Sequence, residues 1–206
     1  MTGFLKSKSV RWLIIALLFG LTSGSCIAKT PALPIGSTMV SEKDGMVLVY
    51  VPAGEFPMGS DNGSGDEKPV HKVYLDAFWI DQVEVTNAMY AKCVADKNAC
   101  EPPSAERSDK RDNYYGVPEF DNYPVTYVNW KQASDYCTWA GRRLPTEAEW
   151  EKSARGIDGR TYPWGTESPN EKLLNFNANV GDTTAGGKYP DGASIYGAYD
   201  MAGNVL

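Results

Sequence analysis

After Gly156 the chain runs about fifty residues without a helical or strand period, through YPWG (162–165), an Asn-rich stretch and turns at Gly186-Gly187 and Asp191-Gly192. Backbone of that kind has to be held by something other than hydrogen-bonded ladders. Bound cations and a buried Trp anchor are the ordinary solutions, with Asn side chains and main-chain carbonyls as oxygen ligands. The rest of the sequence can support such a segment, because 42% of the 206 residues are hydrophobic and 12% aromatic. That is enough apolar material for one packed domain with short extras. The 20 Gly and 13 Pro place function on loops. Twenty basic residues against 26 acidic ones give a net charge of −6, the wrong sign for a nucleic-acid partner.

Residues 1–28 carry Lys6, Lys8 and Arg11, then the apolar run Trp12 to Leu21, then small residues, the three-part pattern of an export signal. The run is about half of the ~20 residues that span a bilayer. Cys26 follows small residues as in bacterial lipoprotein signals, although Ser23 stands where Leu is usual; Ser25 or Ala28 could instead end a soluble-secretion site. The expected location is periplasmic, extracellular or lipid-anchored to the outer face of a membrane, with membrane contact only through the signal or a lipid on Cys26. Residues 29–45 mix Pro, Gly, Ser and Thr and read as a tether, so the domain is expected over 46–206.

Export favours pairing of the remaining thiols. Cys93 and Cys100 bracket a short turn and are expected to form a disulfide, leaving Cys137 without a partner. No C-x-x-C pair is present, and His71 is the single histidine, so a metal site built on these groups is disfavoured.

Met46 to Val51 reads as a strand, 52–60 as successive turns, and 61–67 as a solvated acidic loop whose spacing does not match a calcium loop. The stretch 71–86 reads as a strand entering the core, with Thr86 capping a helix from 87 to about 96. A polar excursion loop over 101–123 is expected to carry function. A strand over 123–130 then leads into a helix on Trp130, Ala133, Cys137 and Ala140, stopped by Gly141. Thr146 and Glu149 form a capping box, with Gly156 at the helix end. Glu147 and Glu149 could be read as an acid/base pair, but their place in a first turn assigns them to the helix dipole. No phosphate loop and no G-x-S-x-G elbow appears.

VPAGEFPMGS (51–60), EKPVHKVYLDAFWIDQVEVTNAMY (67–90), YPVTYVNWKQASDYCTWAGRRLPTEAEWEKSARG (123–156), YPWG (162–165) and YPDGASIYGAYDMAGNV (189–205) stand in a familiar order. The chain resembles the formylglycine-generating enzyme family, also called sulfatase-modifying factors, from about Gly45 onward. The resemblance implies an α+β fold of the complex C-type-lectin-like type, loop-rich and with bound calcium. It implies oxidation of a cysteine in an unfolded sulfatase, or another exported protein, to formylglycine by oxygen and a copper ion held on two thiolates; soft thiolates select Cu(I).

In the family that thiolate pair follows a G-N-x-W-E-W segment, whereas this sequence stops at Asn204, Val205 and Leu206 within it. The expectation is a truncated domain without catalytic residues, copper belonging only to a full-length parent, and Cys137 matching a position usually bridged to a cysteine in the missing part. For calcium, Asn179 with the carbonyl of Val180 resembles one family site, and Gly203 with Asn204 the start of a second. The alternative is that Asn175, Asn177 and Asn179 satisfy loop backbone. A non-catalytic extracytoplasmic module binding a ligand or protein on the same scaffold is the other functional expectation. A non-haem iron relative is disfavoured, because one histidine cannot build a three-histidine site.

Overall fold

The computed structural model describes residues 33–97 and 99–205. The expected signal over 1–28, including Cys26, lies outside them. The VLVYV run makes β2 (Val47–Val51), because β-branched and aromatic residues fit a pleated, buried surface. β2 is the middle of a three-stranded antiparallel sheet, flanked by β1 (Thr38–Val40) and, further along the chain, β5 (Phe78–Asp81). Val40 faces Val47 on one side, and Val51 faces Phe78 on the other. A separate ribbon pairs β3 (Gly54–Met58) with β4 (His71–Leu75).

Four expectations change here. The stretch 29–45 contains β1, so ordered pairing begins within the expected tether. Residues 54–58 form a strand instead of turns, since Pro57 falls on a two-stranded ribbon, where an edge position tolerates it. The single strand over 71–86 is two, broken after Leu75. The aromatic run 123–130 forms no strand, only an isolated bridge from Pro124 to Thr86, and Tyr127 at φ 56° leaves the extended region altogether.

The helices start where the caps indicate. Thr86 accepts from Met89 N–H to open α1 (Asn87–Ala95). Asn129 and Gln132 cap each other's backbone at α2 (Trp130–Trp139), and Thr146 and Glu149 do the same at α3 (Glu147–Arg155). α1 and α2 pack through Tyr90 and Tyr136, whose rings stack at 5.6 Å beside Cys93, Cys100 and Cys137. Cys93 and Cys100 are joined as a disulfide with Cα atoms 5.4 Å apart. A second core joins Val49 of the sheet to Ala154 of α3 and to Ala198 and Met201 of the C-terminal loops. α3 is also held by Lys152, whose buried ammonium donates to the carbonyls of Pro52 (2.8 Å) and Gly54 (2.9 Å).

Beyond Gly156 the backbone is irregular, as expected, apart from one short 3-10 turn over Pro190–Gly192. Its fixing points are polar side chains. Asn204 Oδ1 accepts from Thr184 N–H, the Thr184 hydroxyl and Asn175 Nδ2, while its Nδ2 donates to Thr184 C=O and Glu84 Oε1. Gly203 is obligatory next to it, because a Cβ there would sit 2.3 Å from the Asn175 carbonyl oxygen.

Candidate functional site

Two clefts open between these elements. The first, about 570 Å3, has β5 as its floor, the α2–α3 connection (Gly141–Pro145) as one wall and the loop at Tyr199–Met201 as another. Its lining is mainly apolar, with an ionic network at one end. Arg142 reaches Asp44 at 2.5 Å and Asp81 at 3.2 Å, and the Tyr136 hydroxyl donates to Asp44 at 2.6 Å. Burial acts to raise the Asp44 carboxyl, but hydrogen bonds from Arg142, Ser41, Tyr136 and Met46 outweigh it and hold the group well below the carboxylate range. Asp81 goes the other way, raised to about 6 by burial against the pull of Arg142. One guanidinium thus serves two carboxylates, and the one with more hydrogen bonds is the one held low.

Cys137 lies in the same wall as a buried free thiol, pushed up to about 11 chiefly by burial. That environment keeps it protonated and a poor nucleophile at neutral pH. Arg143 is likewise engaged, forking onto Glu149 at 2.6 and 2.5 Å. The hydrogen bonds from Arg143 hold Glu149 down at about 2. Glu149 is therefore a capping anion, and the acid/base reading of Glu147 and Glu149 is not supported by the geometry.

On the same cleft, Glu84 and Asp200 form a carboxyl pair. Burial first, then the neighbouring Asp200 charge, raises Glu84 to about 8. Burial also raises Asp200, which accepts from Gly187 N–H at 2.6 Å. Glu84 Oε1 takes Asn204 Nδ2 at 3.0 Å, and its Oε2 is buried without a partner. Nothing in the sequence pattern marked this pair, because Glu84 and Asp200 come together only through the fold.

The second cleft, about 800 Å3, lies between the 109 and 125–128 segments and the loops at 175–183 and 203–205. Of the six non-glycine residues with left-handed backbone among those described, Tyr127, Asn177, Ala178 and Asn204 line it. The excursion loop expected over 101–123 closes onto it through Arg111, which pairs with Asp182 at 2.9 Å. The Arg111 guanidinium lies 4.9 Å from the Phe120 ring and 5.3 Å from the Tyr123 ring.

The groups expected at the two calcium sites are engaged by the protein's own donors. Asn179 Oδ1 accepts from Phe176 N–H and Val180 N–H, both at 3.0 Å, and Asn204 Oδ1 already accepts three donors. Both amide oxygens are occupied, and the Gly203 carbonyl accepts from Val205 N–H, so neither the Asn179–Val180 pair nor, separately, the Gly203–Asn204 pair presents a free amide oxygen in this arrangement. Among the described residues no three His, Cys, Asp or Glu side chains converge as metal ligands. Copper does not fit either, since two described cysteines are bridged and the third is buried alone. His71 is exposed, its Nδ1 3.0 Å from the Pro69 carbonyl.

A loop-rich α+β domain with three capped helices, a small sheet and polar-pinned loops defines the class to which this geometry belongs. Residues 35–206 match the model of the sulfatase-modifying factor enzyme 1-like domain, and the chain belongs to that family. It is 38% identical over 168 residues to the serine/threonine-protein kinase Pkn1 of Chlamydia trachomatis, covering 77% of this chain and 26% of that one. It is 31% identical over 208 residues to the formylglycine-generating enzyme of Bos taurus, covering 77% and 56%. Among solved structures, PvdO from Pseudomonas aeruginosa superposes with a TM-score of 0.67 at 27% identity, covering 84% of this chain and 74% of that one. The chain thus spans between a quarter and somewhat over half of these two relatives' sequences.

Proposed function

We propose that residues 35–206 serve as the scaffold and binding part of a formylglycine-generating-enzyme-type domain and hold no copper by themselves. The observation that supports this is the state of the thiols: Cys93 is bridged to Cys100, and Cys137 is a single buried group raised to about 11. A Cu(I) centre needs two thiolates with an open position for oxygen and substrate. Oxidation of a protein cysteine by any longer protein that includes this chain therefore depends on thiolates outside residues 33–205. An exported location accords with the Cys93–Cys100 bridge, since such bonds persist in oxidising compartments.

Titrating the 206-residue chain with Cu(I) against a chromogenic chelator tests the reading. The expected result is that the chelator keeps the metal and that a cysteine-containing peptide under oxygen retains its thiol. One equivalent of Cu(I) taken from the chelator by a Cys26→Ser variant, or conversion of the peptide cysteine to an aldehyde, would overturn it. A second reading, a non-catalytic module that binds a ligand or protein, is favoured by the two open clefts and is compatible with the first.

A further inference from the structure

Among the described residues an Asn or Asp precedes glycine at four places: Asp44-Gly45, Asn62-Gly63, Asp158-Gly159 and Asp191-Gly192. Each is a potential site of self-reaction, because a glycine nitrogen, with no Cβ beside it, can approach the side-chain carbonyl of the residue before it. Whether a pair reacts depends on whether the fold leaves both groups free. Three pairs are tied down. Asp44 is 1% exposed and engaged by Arg142, Tyr136 and Met46 N–H, while Gly45 N–H donates to Ser41 C=O at 2.9 Å. Asp158 is forked onto Arg160, at 2.9 and 2.7 Å. Gly192 is buried, and its N–H donates to Tyr189 C=O at 3.0 Å.

Asn62-Gly63, in the loop between β3 and β4, is different. The Asn62 side chain is exposed, and neither its oxygen nor its nitrogen meets a partner among the described residues; the Gly63 N–H is equally free. The main chain around them is held. Ser60 N–H donates to Glu67 C=O (3.0 Å), Asn62 N–H to the Ser60 hydroxyl (3.2 Å), Ser64 N–H to Glu67 Oε1 (3.3 Å) and Val70 N–H to Asp61 Oδ1 (3.0 Å). The loop is therefore closed at its base, and the one unbonded amide–glycine pair sits at its tip in contact with water.

We propose that Asn62-Gly63 is a self-modification site, where the Gly63 backbone nitrogen attacks the Asn62 side chain and turns a neutral amide into a carboxylate. The nitrogen gives its proton to solvent base and bonds to Asn62 Cγ, closing a succinimide ring. The bond from Cγ to the side-chain nitrogen breaks, and that nitrogen leaves as ammonia. Water then opens the ring. Cleavage of the new bond to Cγ leaves an aspartate at position 62; cleavage of the original peptide bond leaves an isoaspartate, whose main chain is one carbon longer. One water enters and one ammonia leaves, so no oxidant or cofactor is required. Either product adds a negative charge beside Asp61, Asp66 and Glu67, and isoaspartate also stretches the segment that the Ser60–Glu67 bond closes. The charge of this loop thus records the age of the molecule. The proposal is independent of the copper reading.

Ageing the full 206-residue chain at pH 8 in isotopically labelled water, beside the same chain unfolded in urea, tests this by peptide mapping. Asn62 is the single asparagine in the tryptic span from Asp44 to Lys72, so an amide-to-carboxyl mass change with label in that peptide is its own. Conversion in the folded chain is expected within about threefold of the rate in urea, as for a loop the fold leaves open. Isoaspartate at Asp44, Asp158 and Asp191 is expected only in urea. Gly63→Ala is expected to slow conversion at least about tenfold with an unchanged melting temperature, since the new Cβ meets only the end of the Glu67 side chain. Asn62→Gln, which moves the amide one carbon away, is expected to keep it. An Asn62 that converts in urea but not in the folded chain overturns the proposal, as does a rate that neither variant lowers.

Discussion

Between Val47 and Arg155 the molecule is held mainly by apolar burial spread over many side chains: Val49, Tyr90 and Tyr136 are each 1% exposed, and each belongs to a cluster with several other contributors. From Ile157 to Val205 burial of Leu173, Leu174, Tyr196, Ala198 and Met201 is joined by a concentrated polar anchor, since Asn204 alone makes five side-chain hydrogen bonds to Glu84, Asn175 and Thr184. Distributed burial degrades gradually, because each lost methylene costs only its own share. A polar hub fails at once, since removing it strands every buried partner it satisfied. Irregular backbone therefore need not be soft, but a large share of its polar rigidity sits in one position.

The sharpest way to break that contrast is to truncate one residue from each region. Asn204→Ala is expected to destabilise by about 4 kcal/mol, because Thr184 N–H and Glu84 Oε1 lose their partner and Ala has to adopt φ 66°. Val49→Ala, though equally central, is expected to cost about 2 kcal/mol. Urea denaturation of the two variants reads the difference, and a larger loss for Val49→Ala would mean that the loops contribute no more than coil.

A second, smaller effect tests whether the first region depends on covalent support. The Cys93–Cys100 bridge closes a short loop at the end of α1, seven residues apart in sequence, and replacing both cysteines with Ser is expected to cost about 2.5 kcal/mol by the chain-entropy relation. Loss of the folded state in this variant would show that apolar packing around Tyr90 is insufficient without the bridge.

Acidity acts on two of the buried carboxyls in opposite directions. Glu84, whose partner is in the loops, has its carboxyl raised from 4.5 to about 8, so the folded protein keeps a proton that the unfolded chain gives up. Its contribution is full below pH 4.5 and is lost as pH climbs through about 8. Asp44, in the sheet-and-helix region, is lowered, so its contribution is present above its ordinary 3.8 and drains away as pH falls below that value. Melting temperature is expected to be at least about 5 °C higher near pH 5 than near pH 8, a difference that Glu84→Gln reduces, the remainder belonging to the raised carboxyls of Asp81 and Asp200. A melting curve that stays flat from pH 5 to 8 would place Glu84 in water.

The helices were legible because their signals are local: Thr86, and Thr146 with Glu149, act within three residues of themselves, and α2 showed in the spacing of Trp130, Ala133, Cys137 and Ala140, although its Asn129–Gln132 cap emerges only in the structure. The Cys93–Cys100 bridge was legible for the same reason. The strands were less so, since β3 exists only because β4 lies beside it, and the YPVTYVNW run with strong strand propensity is diverted at Tyr127 by packing against Arg107, whose guanidinium sits 4.7 Å from the ring. The ionic and carboxyl clusters escaped sequence reading entirely. Asp44 meets Arg142 across 98 residues, and no period or motif encodes a meeting at that distance.

Glu84 and Asn204 are 120 positions apart, and this has a consequence in time. A nascent chain emerging from the ribosome at about 5–20 residues per second exposes residue 84 many seconds before residue 204 exists. During that interval the carboxylate that will be shut inside the domain has only water for a partner, and the loop-closure entropy of a long segment delays the meeting further. The sheet and first helix can form while synthesis continues, but the lock on them is delivered last.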